Sequence, residues 1–541
     1  MKIPVALLKE RKWAFGLIFT VLFFNPLFYG WAGDVSLKDK CLSWLICLVT
    51  GLALSGFDLF FKKRGEKIYL SLLFLLALAP NIIVWSYLYL SDLYMKRDMF
   101  WVIFNSNVVE STEYVQQFIT WPVFSIGILY LGLGIFFILK ARAVQSVSRR
   151  KHPLLFLLPP VIVLMDISLQ YLSQAIPMLE FYKSYLLFRR EYGLFEKEKA
   201  LRMQLTMDIH SHWPDSTRHV LVVILGESTT VCHMGLYGYF RETTPFMERR
   251  RGELDIYTDV VTSDTHTYGV MQKALTFASH KHPEYYKQKA SVVELFNAAG
   301  FKTSWIANNP ILDKWGASYG VVAQQAGTLY DVSLAKKPDE IVLPSLRKIL
   351  NEDGNKLIFI HLLGSHHAYR SRYPETYDYY DHKRDNELEE PGFRDTHMKQ
   401  TIDEYDNSIR YGDFVYEQIL REVEKIDASS CVLFFSDHGE EVYDTRNASG
   451  HHMSNVYPCQ CRIPFILWRS EKYREENSEI VVDTARPYSI EDVIYSISTL
   501  GKLDYVDNDR TLSIFTKEYV APAKRMVGKE DFEDILKKTR K

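Results

Sequence analysis

Five long apolar runs occupy the first third of the chain, at approximately Trp13 to Trp31, Cys41 to Phe61, Ile68 to Leu90, Phe118 to Leu139 and Leu154 to Leu172. A bilayer core about 30 Å thick is crossed by roughly 20 apolar helical residues, so each run predicts a membrane-spanning helix. Buried helices of a soluble core do not account for five such runs in succession. The first run is not a cleaved signal peptide, because no small-residue cleavage site follows it and four more runs come after. Basic residues crowd alternate loops: Lys2, Lys9, Arg11 and Lys12 before the first run, Lys62, Lys63, Arg64 and Lys67 after the second, and Lys140, Arg142, Arg149, Arg150 and Lys151 after the fourth. That asymmetry predicts a cytoplasmic amino terminus, and an odd number of spans carries everything after Leu172 to the other side.

Between Ser173 and His219 charged residues mix with aromatic and leucine clusters, as in Phe181, Tyr182, Tyr185, Leu186, Leu187 and Phe188 beside Lys183, Arg189 and Arg190. The mixture fits a helix in the membrane interface or a linker helix packed on a soluble domain. From His219 onward, short β-branched runs alternate with amphipathic stretches, which predicts an α/β sheet with helices on its faces. The clearest strands are Val220 to Leu225, Thr303 to Ala307, Leu357 to His361 and Cys431 to Phe435. The expected organisation is a five-helix transmembrane domain over 1–172, an interfacial linker over 173–218 and an α/β domain over 219–541.

At 541 residues the chain is long enough for more than one core. A net charge of −2 argues against a nucleic-acid partner. Six cysteines are too few for a disulfide scaffold; Cys41 and Cys47 lie in an apolar run, and pairing among Cys232, Cys431, Cys459 and Cys461 stays open.

Each predicted strand ends in polar residues: Gly226-Glu227-Ser228, Asn308-Asn309, His361 with His366, and Ser436-Asp437-His438-Gly439-Glu440. Ligands of open parallel sheets bind at the carboxyl ends of strands, so these clusters should converge on one site. Glu227, Asp437 and His438 offer two hard oxygens and an imidazole, a set suited to zinc. Singly, each has a plainer reading as a helix cap or a turn residue; their joint placement favours the metal. Thr267, in Ser263-Asp264-Thr265-His266-Thr267-Tyr268, stands where a helix toward Ala278 begins. It is a candidate ligand and nucleophile there, although a helix cap by Thr265 or Thr267 is the competing role. His361, His366, His367, His451 and His452 are candidates to bind phosphate, protonate a leaving group or hold a second metal, against a plain role as surface or core histidines.

These residues together resemble the inner-membrane phosphoethanolamine transferases of the alkaline phosphatase and sulfatase superfamily. The resemblance spans nearly the whole chain and rests on Gly226-Glu227-Ser228, Gly235 to Tyr239, Arg241 to Pro245 and Ser436 to Glu440, supported by His361 to His366, Tyr405 to Ser408 and Asp509 to Ser513. It implies a sulfatase-like mixed sheet flanked by helices in a bacterial periplasm, the chain being a multi-pass protein of the inner membrane. It further implies zinc held by Glu227, Thr267, Asp437 and His438, one ion with a second open, and Thr267 as the residue that carries phosphoethanolamine. Substrate contacts would be His361, His366, His451, Asn308 and Lys314, with Ser106 and Glu110 meeting the donor lipid. The implied donor is phosphatidylethanolamine and the acceptor a lipopolysaccharide (core sugar or lipid A) or another glycan.

Two departures from the family stand out. Many members flank the nucleophile with a disulfide, whereas Ser263 to Ser279 contains no cysteine, so packing alone is expected to hold that loop and Thr265 stays a rival nucleophile. The small number of cysteines tilts the acceptor toward a core sugar or other glycan. A sulfatase is disfavoured because Thr267-Tyr268-Gly269-Val270-Met271 lacks the Cys or Ser with following Pro and Arg that sulfatase maturation needs. A phosphoglycerol transferase and an inactive glycolipid-binding scaffold remain as rivals.

Overall fold

The computed structural model describes residues 5–28, 37–91, 120–142, 145–147, 217–309, 318–383, 395–451 and 456–539, with shorter stretches at 95, 100, 152, 156–158, 176, 179–187, 189 and 209–213. The chain divides into two compact units, Met1–Glu191 and Tyr192–Lys541.

In the first unit, helices α1 (Lys12–Phe23), α2 (Leu37–Asp58), α3 (Lys63–Ser91) and α4 (Trp121–Lys140) form from the apolar runs. Among the described residues, three stretches are long and apolar enough to cross a membrane, Lys40–Asp58, Lys63–Tyr89 and Trp121–Lys140. The expectation of five is thus not met by the described helices. The first run yields only the 12 residues of α1, about 18 Å at 1.5 Å per residue. Pro26 then opens a 3₁₀ turn, Pro26–Phe28, that ends the regular helix. The fifth run lies almost wholly outside the described residues. Arg11 is fully buried and ties the ends of these helices together, meeting Asp58 at 3.0 Å and Glu66 at 3.3 Å. Residues 179–187 are helical and pack within this unit, Tyr182 donating to the Leu76 carbonyl at 3.1 Å. Of the linker's described residues, 179–187 thus belong to the first unit, whereas Ile209 and Trp213 pack in the core of the second.

The second unit contains β1 (His219–Gly226), β2 (Leu254–Tyr257), α5 (Thr267–Ala274), β3 (Lys302–Ala307), β4 (Thr328–Asp331), β5 (Lys356–His361), α6 (Thr396–Glu424), β6 (Ser429–Ser436) and β7 (Phe465–Arg469). The seven strands form one mixed sheet in the order β2-β7-β6-β1-β5-β3-β4. Pairing is parallel from β6 through β4, and β7 runs antiparallel to both of its neighbours. All eight residues of β1 are buried. The cause is that both faces are covered: Leu221, Val223 and Leu225 pack with Met271, Phe296 and Ile497, while Val220, Val222 and Ile224 pack with Leu346, Ile409 and Ile419. A strand buried on two faces reads as a continuous apolar run, which is why β1 and β6 are so plain in the sequence. Helix α6 turns Ile402, Tyr405, Ile409, Tyr416, Ile419 and Val423 inward, the spacing of one helical face.

Candidate active site

Parallel pairing of β1 with β6 sets Gly226 opposite Ser436, so Glu227 and Asp437 leave the sheet side by side. Pairing of β5 with β1 and β3 sets His361 level with Leu225 and Ala307, one row before Gly226. The turn after β1 is fastened from three sides. Ser228 holds a left-handed backbone at φ 53°. Its N–H donates to Asp437 Oδ1 at 3.1 Å, and its carbonyl accepts the Tyr405 hydroxyl at 2.7 Å. The Thr230 N–H donates in turn to the Tyr405 oxygen at 3.2 Å.

Glu227, Asp437 and His438 are completely buried. His438 Nε2 lies 3.3 Å from Glu227 Oε1 and 3.4 Å from Asp437 Oδ2. Asp437 Oδ2 and His438 Nε2 have no hydrogen-bond partner of good geometry. Two buried carboxylates facing one imidazole, with such atoms left over, fit a divalent cation, and the oxygen and nitrogen donors suit zinc. His438 Nδ1 lies 2.9 Å from the Gly439 carbonyl. A proton on Nδ1 is held there, which leaves Nε2 turned toward the carboxylates. Burial and the charge of Glu227 raise the Asp437 carboxyl to about 7. Burial lowers the His438 imidazole, but the carboxylates of Asp437, Glu227 and Glu440 outweigh it and raise it to about 10. Such a proton-rich cluster exchanges protons for metal when a cation binds.

Thr267 opens α5, and its Oγ donates to Glu227 Oε2 at 3.0 Å. Thr265 is placed differently, its Oγ lying 3.2 Å from His266 Nδ1. The cysteine-free loop is held by more than packing: Thr262 Oγ donates to the Asp437 carbonyl, its N–H to the Cys461 carbonyl at 2.9 Å, and the Gly528 N–H to the Ser263 carbonyl at 3.0 Å. The expectation of packing alone is corrected by these backbone and side-chain hydrogen bonds at the start of the loop.

His451 stands beside the ligand set, its ring centroid 4.2 Å from that of His438 and its Nδ1 2.9 Å from Glu440 Oε2. His438, Glu440 and His451 form a second group with metal-ligand spacing. Burial lowers His361 to about 4 and His366 to about 3, so both are neutral at pH 7; His361 feels the charge of Asp437 and His366 that of His438. Asn308, expected as a substrate contact, is braced from behind the site. Its amide donates to the Lys337 carbonyl at 3.0 Å and to Asp339 Oδ1 at 2.9 Å, and Asp339 in turn receives the N–H groups of Leu363 and Gly364, both at 2.8 Å. The neighbouring Asn309 reaches the site, donating to Glu227 Oε2 at 3.3 Å. Lys314, Ser106 and Glu110 lie outside the described residues, as does His452.

A parallel-stranded α/β core with two buried carboxylates and an imidazole gathered at its strand ends, and a threonine hydroxyl directed at one of them, is an arrangement that fits a metal-dependent enzyme. Residues 219–503 match the sulfatase family model, and the chain belongs to that family. It is 26% identical over 521 residues to the phosphoethanolamine transferase EptC of Escherichia coli, covering 91% of this chain and 88% of that protein. To the phosphoethanolamine transferase CptA of Salmonella typhimurium it is 27% identical over 523 residues, again covering 91% and 88%. The crystal structure of the C-terminal periplasmic domain of E. coli EptC superposes with a TM-score of 0.56 at 32% identity, over 59% of this chain and 92% of that one. The integral membrane EptA of Neisseria meningitidis superposes with a TM-score of 0.69 at 19% identity, over 94% and 99%, which extends the shared fold to the membrane unit.

Proposed function

We propose that this chain transfers phosphoethanolamine from phosphatidylethanolamine to a lipopolysaccharide or related glycan, through a covalent adduct on Thr267. The reading is supported by the names of its full-length relatives and carried by one observation: the Thr267 hydroxyl meets Glu227 within the Glu227–Asp437–His438 set. One of the related periplasmic domains, that of E. coli EptC, has been solved in complex with zinc. Zinc on Glu227, Asp437, His438 and Thr267 supplies Lewis-acid polarisation of the phosphoryl group and favours the deprotonated hydroxyl.

Thr267 gains further anion stabilisation from its place at the start of α5. Its oxygen attacks the phosphorus, the bond to the glycerol oxygen breaks, and diacylglycerol leaves with a proton from the histidine side of the pocket, where Glu440 orients His451. An acceptor hydroxyl or phosphate then attacks the phosphothreonine and restores Thr267. His361 and His366, held neutral, can each offer a hydrogen bond to an incoming group. On the resemblance alone, Ser106, Glu110 and Lys314 are assigned to the donor lipid and its phosphate. The apolar helices tether the catalytic unit to an inner membrane, facing the periplasm.

The test is the mass of lipopolysaccharide from cells with and without the gene, resolved into core and lipid A fragments. One phosphoethanolamine increment, absent with a Thr267→Ala gene, is expected; a phosphoglycerol increment, or none, contradicts the reading.

A further inference from the structure

Directly after the turn that carries Glu227, the 3₁₀ turn Val231–His233 holds two residues that reach the same distant segment. Cys232 is disulfide-bonded to Cys459, 227 positions later. His233 lies between Asp406 at 2.6 Å and Asp444 at 3.2 Å. Asp444 and Cys459 bracket His451, so the stretch bearing this histidine is fastened at both ends to one turn.

The fastening leads inward to the metal ligands. Cys459 belongs to the helical turn Pro458–Cys461. That turn presses on Gly439, where a Cβ would lie 2.1 Å from the Cys459 carbonyl oxygen. Gly439 donates its N–H to the Gln460 carbonyl at 2.9 Å, and Gln460 Nε2 donates to the Gly450 carbonyl at 2.9 Å, one residue before His451. Gln460 is fully buried. A chain of bonds thus runs from the disulfide through Gln460 to His451, whose ring borders His438.

We propose that the Cys232–Cys459 disulfide is a positioning device for the active site, holding Glu440 and His451 in register with the metal ligands, so that opening it disables transfer while Glu227, Asp437 and His438 keep their metal. As a statement about activity this rests on the reading above; as a statement about the segment it stands on geometry alone. Opening needs a dithiol reductant. One thiolate attacks a sulfur and forms a mixed disulfide, the second thiolate closes a cyclic disulfide, and both electrons pass to Cys232 and Cys459, which leave as thiols. Cys232 is half-buried and Cys459 buried, so Cys232 is the more exposed of the two residues.

The test uses the full-length protein in detergent, with and without reduction by dithiothreitol, the reductant being removed anaerobically and zinc restored before each measurement. Alkylation after denaturation should rise from four cysteines, those at 41, 47, 431 and 461, to six. Reduction should leave zinc content and far-UV ellipticity in place and speed hydrogen exchange across 439–451, while 219–226 and 429–436 stay protected. A displacement near 1 Å at a reacting group costs up to about 10²-fold, so transfer should drop by roughly tenfold or more and return on reoxidation with diamide. Gln460→Met, with the disulfide intact, should speed exchange over the same segment. Unchanged exchange over 439–451 with six alkylated cysteines overturns the proposal. So does joint loss of zinc and ellipticity, which would make the bond a staple of the whole fold. An oxidised protein that transfers nothing counts against the proposed activity, and the exchange comparison still decides the positioning role.

Discussion

Gly364 holds φ +55° and brings its backbone so close to Glu227 that an added Cβ would lie 2.7 Å from the Glu227 carbonyl oxygen and 2.8 Å from its nitrogen. Replacement by alanine meets both a strained backbone and backbone atoms that cannot step aside. Overpacking of this kind costs about 1–3 kcal/mol. Gly364→Ala should therefore lower the melting temperature and displace Glu227, weakening zinc binding; calorimetry and metal analysis on one preparation check this, and an unchanged zinc affinity would contradict it. Glu227→Ala, Asp437→Ala and His438→Ala should each lose zinc and turnover while the protein still inserts in the membrane. Zinc stoichiometry and activity retained in any two of them would dismiss the ligand set. At this scale the sequence is legible where a residue type is rare in its setting: a carboxylate after an apolar strand, an Asp-His pair after another. It is not legible where one position decides the face. Asn308 and Asn309 are equivalent on paper, yet one braces Asp339 and the other touches Glu227.

Among elements, two of the segments that carry the family resemblance, Gly235 to Tyr239 and Arg241 to Pro245, prove to be structural. Arg241 is buried and meets Asp406 at 2.8 Å and Asp403 at 2.9 Å, and the Tyr239 hydroxyl donates to Asp406 at 3.0 Å. Asp413 receives the N–H groups of Phe246 and Met247, fixing the short helix that follows Pro245. A buried ion cluster of this kind favours one arrangement because breaking it leaves a charge unpaired. His233 belongs to it. Burial lowers its imidazole, but Asp444 and Asp406 outweigh burial and raise it to about 10. The unfolded value is near 6.5. Its contribution to stability is therefore complete below about pH 6.5 and is lost as pH rises through about 10. The wild-type melting temperature should fall more steeply between pH 7 and pH 10 than that of His233→Asn; parallel slopes would contradict the assignment. The four parallel strands named from the sequence appear within two residues at either end, because burial on both faces gives them continuous apolar runs. β2 and β4 escape sequence reading for the opposite reason: they are four residues long and carry intermediate positions at the sheet edges, whereas β7 is a buried apolar run that carries the same signal as the named strands.

For the molecule as a whole, the apolar runs announce a membrane unit, and among the described residues three of the five give helices long enough to span. Pro26 cuts the first helix, and Arg11, counted among the basic residues that set orientation, is neutralised by Asp58 and Glu66 in the folded unit. The remaining basic residues still favour a cytoplasmic amino terminus. A reporter that works only outside the cytoplasm should be active when fused after His219 and silent between Lys140 and Lys151; activity at the inner junction would reverse the side on which the substrate is met. The central claim is covalent transfer through Thr267 in a zinc site, and its most direct test omits the acceptor. Zinc-loaded protein incubated with phosphatidylethanolamine alone should release diacylglycerol and carry one phosphoethanolamine group on the peptide spanning Thr265 to Lys273, located by fragmentation to Thr267, with Thr267→Ala abolishing the adduct and Thr265→Ala keeping it. An adduct on Thr265, or transfer at full rate by Thr267→Ala, would contradict the account.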